Sequence, residues 1–357
     1  MTSDVSSSES PAALLARAEA VKASQPNLRT RALAAELGVS EAELLDARVG
    51  GDVIRLVPDM KVLLEELPAS GRIMTLTRNK AAVHERRGTY NKGKVHGHVG
   101  LVVGKDIDLR LFPSHWHCGY RVVVTAGPRT LDSMQFFDRH GMAVQKIYAE
   151  GKTDKAAWNA LVETLTHADQ TPGQLTVEPA PSPPSAAIPS DFDRTAFLEE
   201  WSKLRDTHHF YGLLRKNSLV PGAAFQAAEG EYTARLPDDI SERLLETVAK
   251  AELPIMVFVG NRGCIQIHTG PVRRILARNG WTNVLDPDFN LHLREDEVHS
   301  AWAVTKPTDD GPVTSVELLD ANGAVLVRFF GARKPGIPEL PRWRSIVHDL
   351  PTLDPSH

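Results

Sequence analysis

Two adjacent histidines, His208 and His209, lie in the stretch LRDTHHFYGLLRK at 204–216, between a polar start and a basic end. If the segment from about Asp193 to Lys216 is one helix, steps of about 100° per residue put Phe197, Trp201, Leu204, His208 and Tyr211 on one narrow stripe. His209 falls on a more polar flank beside Ser202 and Arg205. His208 is then either a hydrogen-bonded core histidine or a neutral imidazole at the wall of an apolar, aromatic-lined cavity, the setting that an axial haem ligand requires.

A second candidate is DIDLRLF at 106–112. Strand alternation sends Ile107, Leu109 and Leu111 to a core and Asp108, Arg110 and Phe112 to the opposite face. That face is either solvated or a pocket wall, where Phe112 packs on a flat ligand and Arg110 supplies a permanent positive charge. The His-x-His pairs His96/His98 and His115/His117 could chelate a metal from one strand face. They lack a carboxylate or thiolate at ligand spacing, which favours exposed strand histidines. The segment TRALAAELGVSEAELL at 29–44 has the outline of a helix-turn-helix, with Gly38 at the turn and Ser40 as N-cap. Its second helix would offer chiefly acid to base edges, so a packed helical hairpin is the better account and nucleic acid is not an expected partner. The chain has no glycine-rich phosphate loop, no GxSxG and no HExxH, which leaves hydrolase and nucleotide-binding readings without residues.

The elements that must position these residues are duplicated. RIMTLTRNKAAVHERRG at 72–88 matches PIMVFVGNRGCIQIHTG at 254–270, DIDLRLF at 106–112 matches DFNLHLR at 288–294, and SMQFFDRHGMAVQKIY at 133–148 matches SVELLDANGAVLVRFF at 315–330. All three share one offset of 182 residues, which points to two copies of one unit. In the second copy, His292 stands where the first has Arg110. Each copy opens with helical periodicity and continues with short alternating runs bounded by turn residues, Asp320-Ala-Asn-Gly323 being a clear hairpin turn. The expected fold class is therefore α+β, an internal duplication of N-terminal helices followed by a large antiparallel sheet. The expected organisation is a flexible N-terminus (1–24), a first repeat (25–168), a Pro/Ser-rich linker (169–190), a second repeat (191–345) and a C-terminal tail (346–357).

Composition narrows the setting. The formal net charge of −4 over 357 residues gives no global electrostatic reason to bind nucleic acid or an anionic membrane. The N-terminal MTSDVSSSES lacks the basic and apolar regions of a secretory signal, and no apolar run has membrane-spanning length, so no membrane insertion and a cytoplasmic location are expected. Cys118 and Cys264 form no CxxC pair, and each reads as a small buried hydrophobe.

Over roughly residues 25–345, the chain resembles the bacterial cytoplasmic haemin-degrading or haem-trafficking proteins of the HemS/HmuS/ChuS/PhuS type. The resemblance rests on LTRNKAAVHERRGTYNKGKVHGHVGLVVGKDIDLRLFPSHWHCGY, DTHHFYGLLRK, FVGNRGCIQIHTGPV and TKPTDDGPVTSVEL. It implies one haem in a cleft of the second copy, with His208 as axial ligand to the iron and His209 as fallback. It also implies Arg110 on the distal side beside Phe112, Phe258 as a second pocket aromatic, and Lys306 and Arg333 near the propionates. The function it implies is oxidative haem degradation dependent on O2 and an electron donor, with Arg110 as the catalytic residue. The alternative is a carrier that takes haem from an inner-membrane importer to a separate haem oxygenase. Two departures stand out. KNSLVPGAA, with Pro221, replaces a segment that carries a propionate-contacting Arg in relatives, and Phe330-Gly-Ala-Arg333 replaces Tyr-Gly-Gln-Arg.

Overall fold

The computed structural model describes residues 9–91, 93–126, 129–334 and 336–353. The first half begins with α1 (Pro11–Ser24), α2 (Thr30–Leu37) and α3 (Glu41–Asp46), then β1 (Val53–Leu56) and α4 (Met60–Glu66). Strands β2 (Gly71–Arg78), β3 (Ala82–Thr89), β4 (Lys94–His96), β5 (Val99–Val103), β6 (Asp108–Leu111), β7 (Cys118–Ala126), β8 (Arg129–Phe137) and β9 (Ala143–Thr153) follow, and α5 (Lys155–Leu165) closes the unit. The second half repeats the plan with α6 (Arg194–Ser202), α7 (Phe210–Lys216), α8 (Pro221–Ala227), β10 (Thr233–Leu236) and α9 (Ile240–Lys250). Its strands are β11 (Ile255–Gly260), β12 (Cys264–Gly270), β13 (Ile275–Arg278), β14 (Trp281–Leu285), β15 (Phe289–Arg294), β16 (Ser300–Lys306), β17 (Val313–Leu319) and β18 (Val325–Gly331), and α10 (Pro341–His348) ends it.

The strands form two nine-stranded antiparallel sheets, in the orders β1-β7-β8-β9-β2-β3-β15-β14-β13 and β10-β16-β17-β18-β11-β12-β6-β5-β4. The sheets therefore do not coincide with the repeats. Each copy lends a three-strand meander to the other: β15 pairs with β3, and β6 pairs with β12. Arg110 thus belongs to the sheet built mainly by the second half.

The alternation within DIDLRLF has the expected sense, with Ile107, Leu109 and Leu111 fully buried. The inner faces of the two sheets meet where Gln266 Nε2 donates to the Thr75 carbonyl at 3.1 Å and Cys264 Sγ lies 3.3 Å from Thr77 Oγ1. Phe289 lies in the same layer, stacked on His268 at 3.8 Å between centroids and tilted against His84 at 4.9 Å. None of the four ring nitrogens of these two buried histidines has a hydrogen-bond partner. Asp320-Ala-Asn-Gly323 does turn β17 into β18, with Gly323 at φ 70°. The helical hairpin is as read, with Gly38 left-handed at φ 71° and Ser40 in a capping box with Glu43. Its second helix packs inward, burying Glu41, Ala42, Leu44, Leu45 and Asp46.

Several boundaries differ from expectation. The N-terminal segment is not wholly flexible: Pro11–Ser24 is helical and buries Leu14 and Ala18. The start of the linker is docked, because Arg55 N donates to Gln170 Oε1 (2.9 Å) and Leu175 N to Asp46 Oδ2 (2.8 Å). The C-terminal tail begins inside the core, where Val347 and Leu350 are buried. The helix expected from 193 to 216 breaks after Ser202 and restarts as a 3-10 turn, Thr207–His209, leading into α7. Asp206 causes the restart: in an extended conformation, its side chain caps the new turn by accepting from His208 N.

Candidate functional site

The break after Ser202, with the restart capped by Asp206, resets the helical phase and corrects the placement of His208. Phe197, Trp201 and Leu204 are buried as expected, but Phe210, Leu213 and Leu214 then take the inward positions of α7. His208 and Tyr211 point outward instead, the His208 side chain being 89% exposed. His209 is exposed too. The two histidines still differ: His208 Nδ1 lies 2.6 Å from Asp206 Oδ1, the same oxygen that accepts from His208 N at 2.8 Å. A carboxylate only accepts, so Nδ1 is the donor of this contact and Nε2 is the nitrogen left facing solvent. The backbone N–H of His208, with the ring behind it, holds the Asp206 carboxyl below its usual range. The scaffold under this turn is aromatic. Trp201 donates Nε1 to the Thr305 carbonyl (3.0 Å), stacks on Tyr232 and meets Phe210 edge-on.

The sheet opposite is aligned by its register. Directly paired residues share a face, so Trp302, Glu317, Arg328, Phe258, Ile267 and Asp108 form one row across β16, β17, β18, β11, β12 and β6. Arg110 and its partner Ile265 lie in the adjacent row on that face. Tyr211 meets this surface where its ring centroid lies 5.5 Å from the Arg328 guanidinium. His208, three residues earlier, occupies the same side of the chain about one turn back. Arg110 lies three strands from Arg328, about 14 Å at the usual strand spacing. The floor between them carries Phe258, Ile265 and Ile267, with Phe258 and Phe330 in edge contact at 5.2 Å. Arg110 is half-buried and ion-paired with Asp108, whose carboxyl is pushed up by burial against the pull of Arg110. Phe112 is half-buried, held by its N–H to the Gly263 carbonyl at 3.0 Å. Gly263 has to be glycine: a Cβ there would sit 2.5 Å from Val144.

The two basic residues expected beside propionates differ in placement. Lys306 is buried, donates to Glu317 Oε1 at 2.6 Å and lies 4.6 Å from the Phe210 ring centroid. It is a structural cation under α7 because its alternation position on β16 points into the helix–sheet core. Burial alone would raise the Glu317 carboxyl, but Lys306 and Arg328 outweigh it and hold it at about 2. Arg333 is half-buried, donates Nη2 to Asp310 Oδ2 at 3.2 Å and has an unpartnered Nε. Pro221 starts α8, and Gly222 N donates to the Gly323 carbonyl at 3.0 Å, so this segment is tied to the β17–β18 turn.

Sequence reasoning missed Asp206 and Arg328, and noted Phe330 only as a departure from relatives. Asp two residues before a histidine is an N-cap signal that could have found the first. The second required knowing that β18 lies next to β11. His292, the counterpart of Arg110, sits in the other sheet with Nδ1 2.7 Å from Asn283 Oδ1. The corresponding outer face of that sheet is closed by Glu41, ion-paired with both Lys146 and Arg78. Burial pushes both cysteine thiols up to about 12, leaving them unreactive. Among the described residues, the His-x-His pairs join no cluster of three or more metal-binding side chains, and no helix is long and apolar enough to cross a membrane. The surface between α7 and the sheet that carries Arg110 therefore presents an outward imidazole nitrogen, an aromatic and aliphatic floor, and the half-buried guanidinium of Arg110 beside Asp108, while Arg328 is held against Glu317 and Tyr211. This combination suits a flat apolar molecule with an electron-pair acceptor at its centre and anionic groups at its edge.

Residues 38–165 and 221–350 each match the family described as Haemin-degrading HemS.ChuX domain. The chain is 38% identical over 334 residues to the hemin transport protein HmuS of Yersinia pestis, covering 93% of this chain and 96% of that one. The crystal structure of holo-PhuS, a heme-binding protein from Pseudomonas aeruginosa, superposes with a TM-score of 0.93 at 44% identity, over 97% of this chain and 100% of that one. ChuS, an E. coli heme oxygenase, superposes with a TM-score of 0.84 at 33% identity, over 94% and 99%. With the domain present twice and the likeness running the length of both chains, the protein belongs to the haemin-degrading HemS/ChuX family.

Proposed function

We propose that the cleft binds haem, with His208 as axial ligand to the iron, and that the protein opens the haem ring oxidatively and frees the iron. The observation that carries this reading is the His208 side chain itself, turned outward with Nδ1 fixed by Asp206 and Nε2 free. Histidines that ligate metals characteristically donate their other nitrogen to a carboxylate or carbonyl in this way. Haem is the molecule acted on and supplies, with O2 and an electron donor, the redox chemistry of its own breakdown. The protein's part is to bind and orient. Phe258 and Phe112 pack against the macrocycle, Arg110 donates hydrogen bonds on the face away from His208, and Arg333 takes a propionate. Lys306 acts through the packing of Phe210 rather than by contact. His209 is the substitute ligand. The setting proposed is the cytoplasm.

A carrier is the second reading, favoured by the 89% exposure of His208, which leaves the ligand open to an incoming importer or to a separate haem oxygenase. Single-turnover absorbance with reductant, in the presence of catalase, separates the two. Loss of the Soret band with release of carbon monoxide and an open-chain tetrapyrrole supports degradation. A persistent Soret band without carbon monoxide refutes it in favour of the carrier. For the site, His208→Ala should shift the ferric spectrum and weaken haem retention, and His209→Ala much less. Equal effects would show the assignment to be wrong.

A further inference from the structure

Away from this cleft, the duplication creates a second one where the two repeats lock together. Asn79 and Asn261 are equivalent under the 182-residue offset and do the same work. Asn79 Oδ1 accepts from Ala81 N and Ala82 N, and Asn261 Oδ1 from Gly263 N and Cys264 N, so each rigidifies its own hairpin turn. Each amide then crosses to the other copy: Asn79 Nδ2 donates to the Leu326 carbonyl (2.8 Å), and Asn261 Nδ2 to the Arg78 (3.0 Å) and Val144 (2.8 Å) carbonyls. The residue after each asparagine is basic, Lys80 and Arg262, and the two turns bring them to one cleft of about 230 Å3 together with Arg31 and Arg78.

Compensation of these four cations is uneven. Arg78 is ion-paired with Glu41, and Lys80 with Asp320 at 3.1 Å and Glu297 at 3.6 Å. Arg31 reaches only the Asn79 carbonyl, at 3.3 Å, and Arg262 has no hydrogen-bond or ion-pair partner among the described residues. The one acid lining the cleft, Asp138, is buried and accepts from His140 N and Met142 N. Burial of Arg31, with Arg78 beside it, lowers its pKa against the opposing pull of Glu41 and Glu297, neither of which it contacts as an ion pair. Two guanidinium forks on a preorganised turn junction, with an apolar wall from Met142 to Val144, match the geometry of a phosphate better than that of a metal or an apolar ligand.

We propose that this junction is a binding site for a phosphate group, either free inorganic phosphate or the monoester of a small metabolite. The test is calorimetric titration of the full-length, haem-free protein with inorganic phosphate and with ribose 5-phosphate, in chloride buffer of fixed ionic strength. Saturable binding is expected, weakened about tenfold by Arg262→Gln or by Arg31→Gln, with haemin titration of the variants unchanged. Arg262 is exposed and unpartnered, so its variant keeps the test open if Arg31→Gln fails to fold. Tighter binding of ribose 5-phosphate assigns the site to a monoester, and tighter binding of inorganic phosphate to the free ion. No saturable heat with either probe, or binding that both substitutions leave intact, overturns the proposal.

Discussion

Asp206→Ala should loosen haem without loosening the protein. The carboxylate touches no ligand in the proposed arrangement, but its Oδ1 accepts from both the backbone and the ring of His208. Removing it deletes the cap of a short exposed turn, at a cost of about 1 kcal/mol locally, and frees the imidazole to rotate. Loss of the group that orients a metal-bound histidine typically weakens metal binding about 10- to 100-fold, so the haem off-rate should rise by that factor. Asp206→Asn keeps an acceptor for the backbone N–H but makes it neutral. Charge-assisted bonds are about twice as strong as neutral ones, so this variant should fall between wild type and Asp206→Ala. Transfer of haem to an excess of apomyoglobin, followed in the Soret region, gives the rates, and thermal melts without haem control for folding. If both Asp206 variants release haem at the wild-type rate while His208→Ala loses it, the short Asp206–His208 contact plays no part in binding.

Three further outcomes follow from features already described. The buried His268 and His84 rings are held neutral because burial pushes their pKa values down, His268 to about 3 from 6.5 and His84 well below its usual value. Above pH 6.5, both states are neutral at these positions. Below it, only the unfolded chain takes up the protons, so stability should fall by about 1.4 kcal/mol per pH unit for each histidine until the folded pKa is reached. Urea melts between pH 7 and pH 4 should show this, and a His268→Leu variant with an unchanged slope would refute it. Glu317→Gln leaves Lys306 and Arg328 without their shared carboxylate in a buried site and should cost about 3–5 kcal/mol in the same melts; a loss under about 1 kcal/mol would mean that the site is wetter than its burial implies. Arg110→Ala should leave ferric haem bound while slowing ring opening at least about 100-fold, the scale of losing one preorganised donor. Wild-type single-turnover rates would remove Arg110 from the reaction.

What was legible in the sequence was local. Alternation in DIDLRLF gave the inward and outward faces correctly, because period-2 burial is a property of neighbouring residues. The α+β class and the duplication were legible for the same reason, in runs and a constant offset. The phase of the histidine segment was lost between Ser202 and Asp206. Asp206 can sit within a helix or start a new one, and a break there moves every later side chain to another face. The company kept by Arg110 was not legible at all. Its strand neighbour Ile265 is 155 positions away, and nothing in either segment specifies that β6 pairs with β12 rather than with a strand of its own copy.

That pairing has a consequence for how such a chain arose and how it can be divided. Two identical units that each offer a meander to the other's sheet form a closed, symmetric pair without any covalent link, the arrangement of a domain-swapped homodimer. Fusion through a segment such as 169–190 would have freed the two halves to diverge, one keeping arginine at position 110 and the other histidine at 292. Cleaving the chain in that segment should not yield two autonomous domains. Each fragment would expose β3 or β12 as a bare hydrogen-bonding edge and would aggregate unless the other fragment were present to cover it.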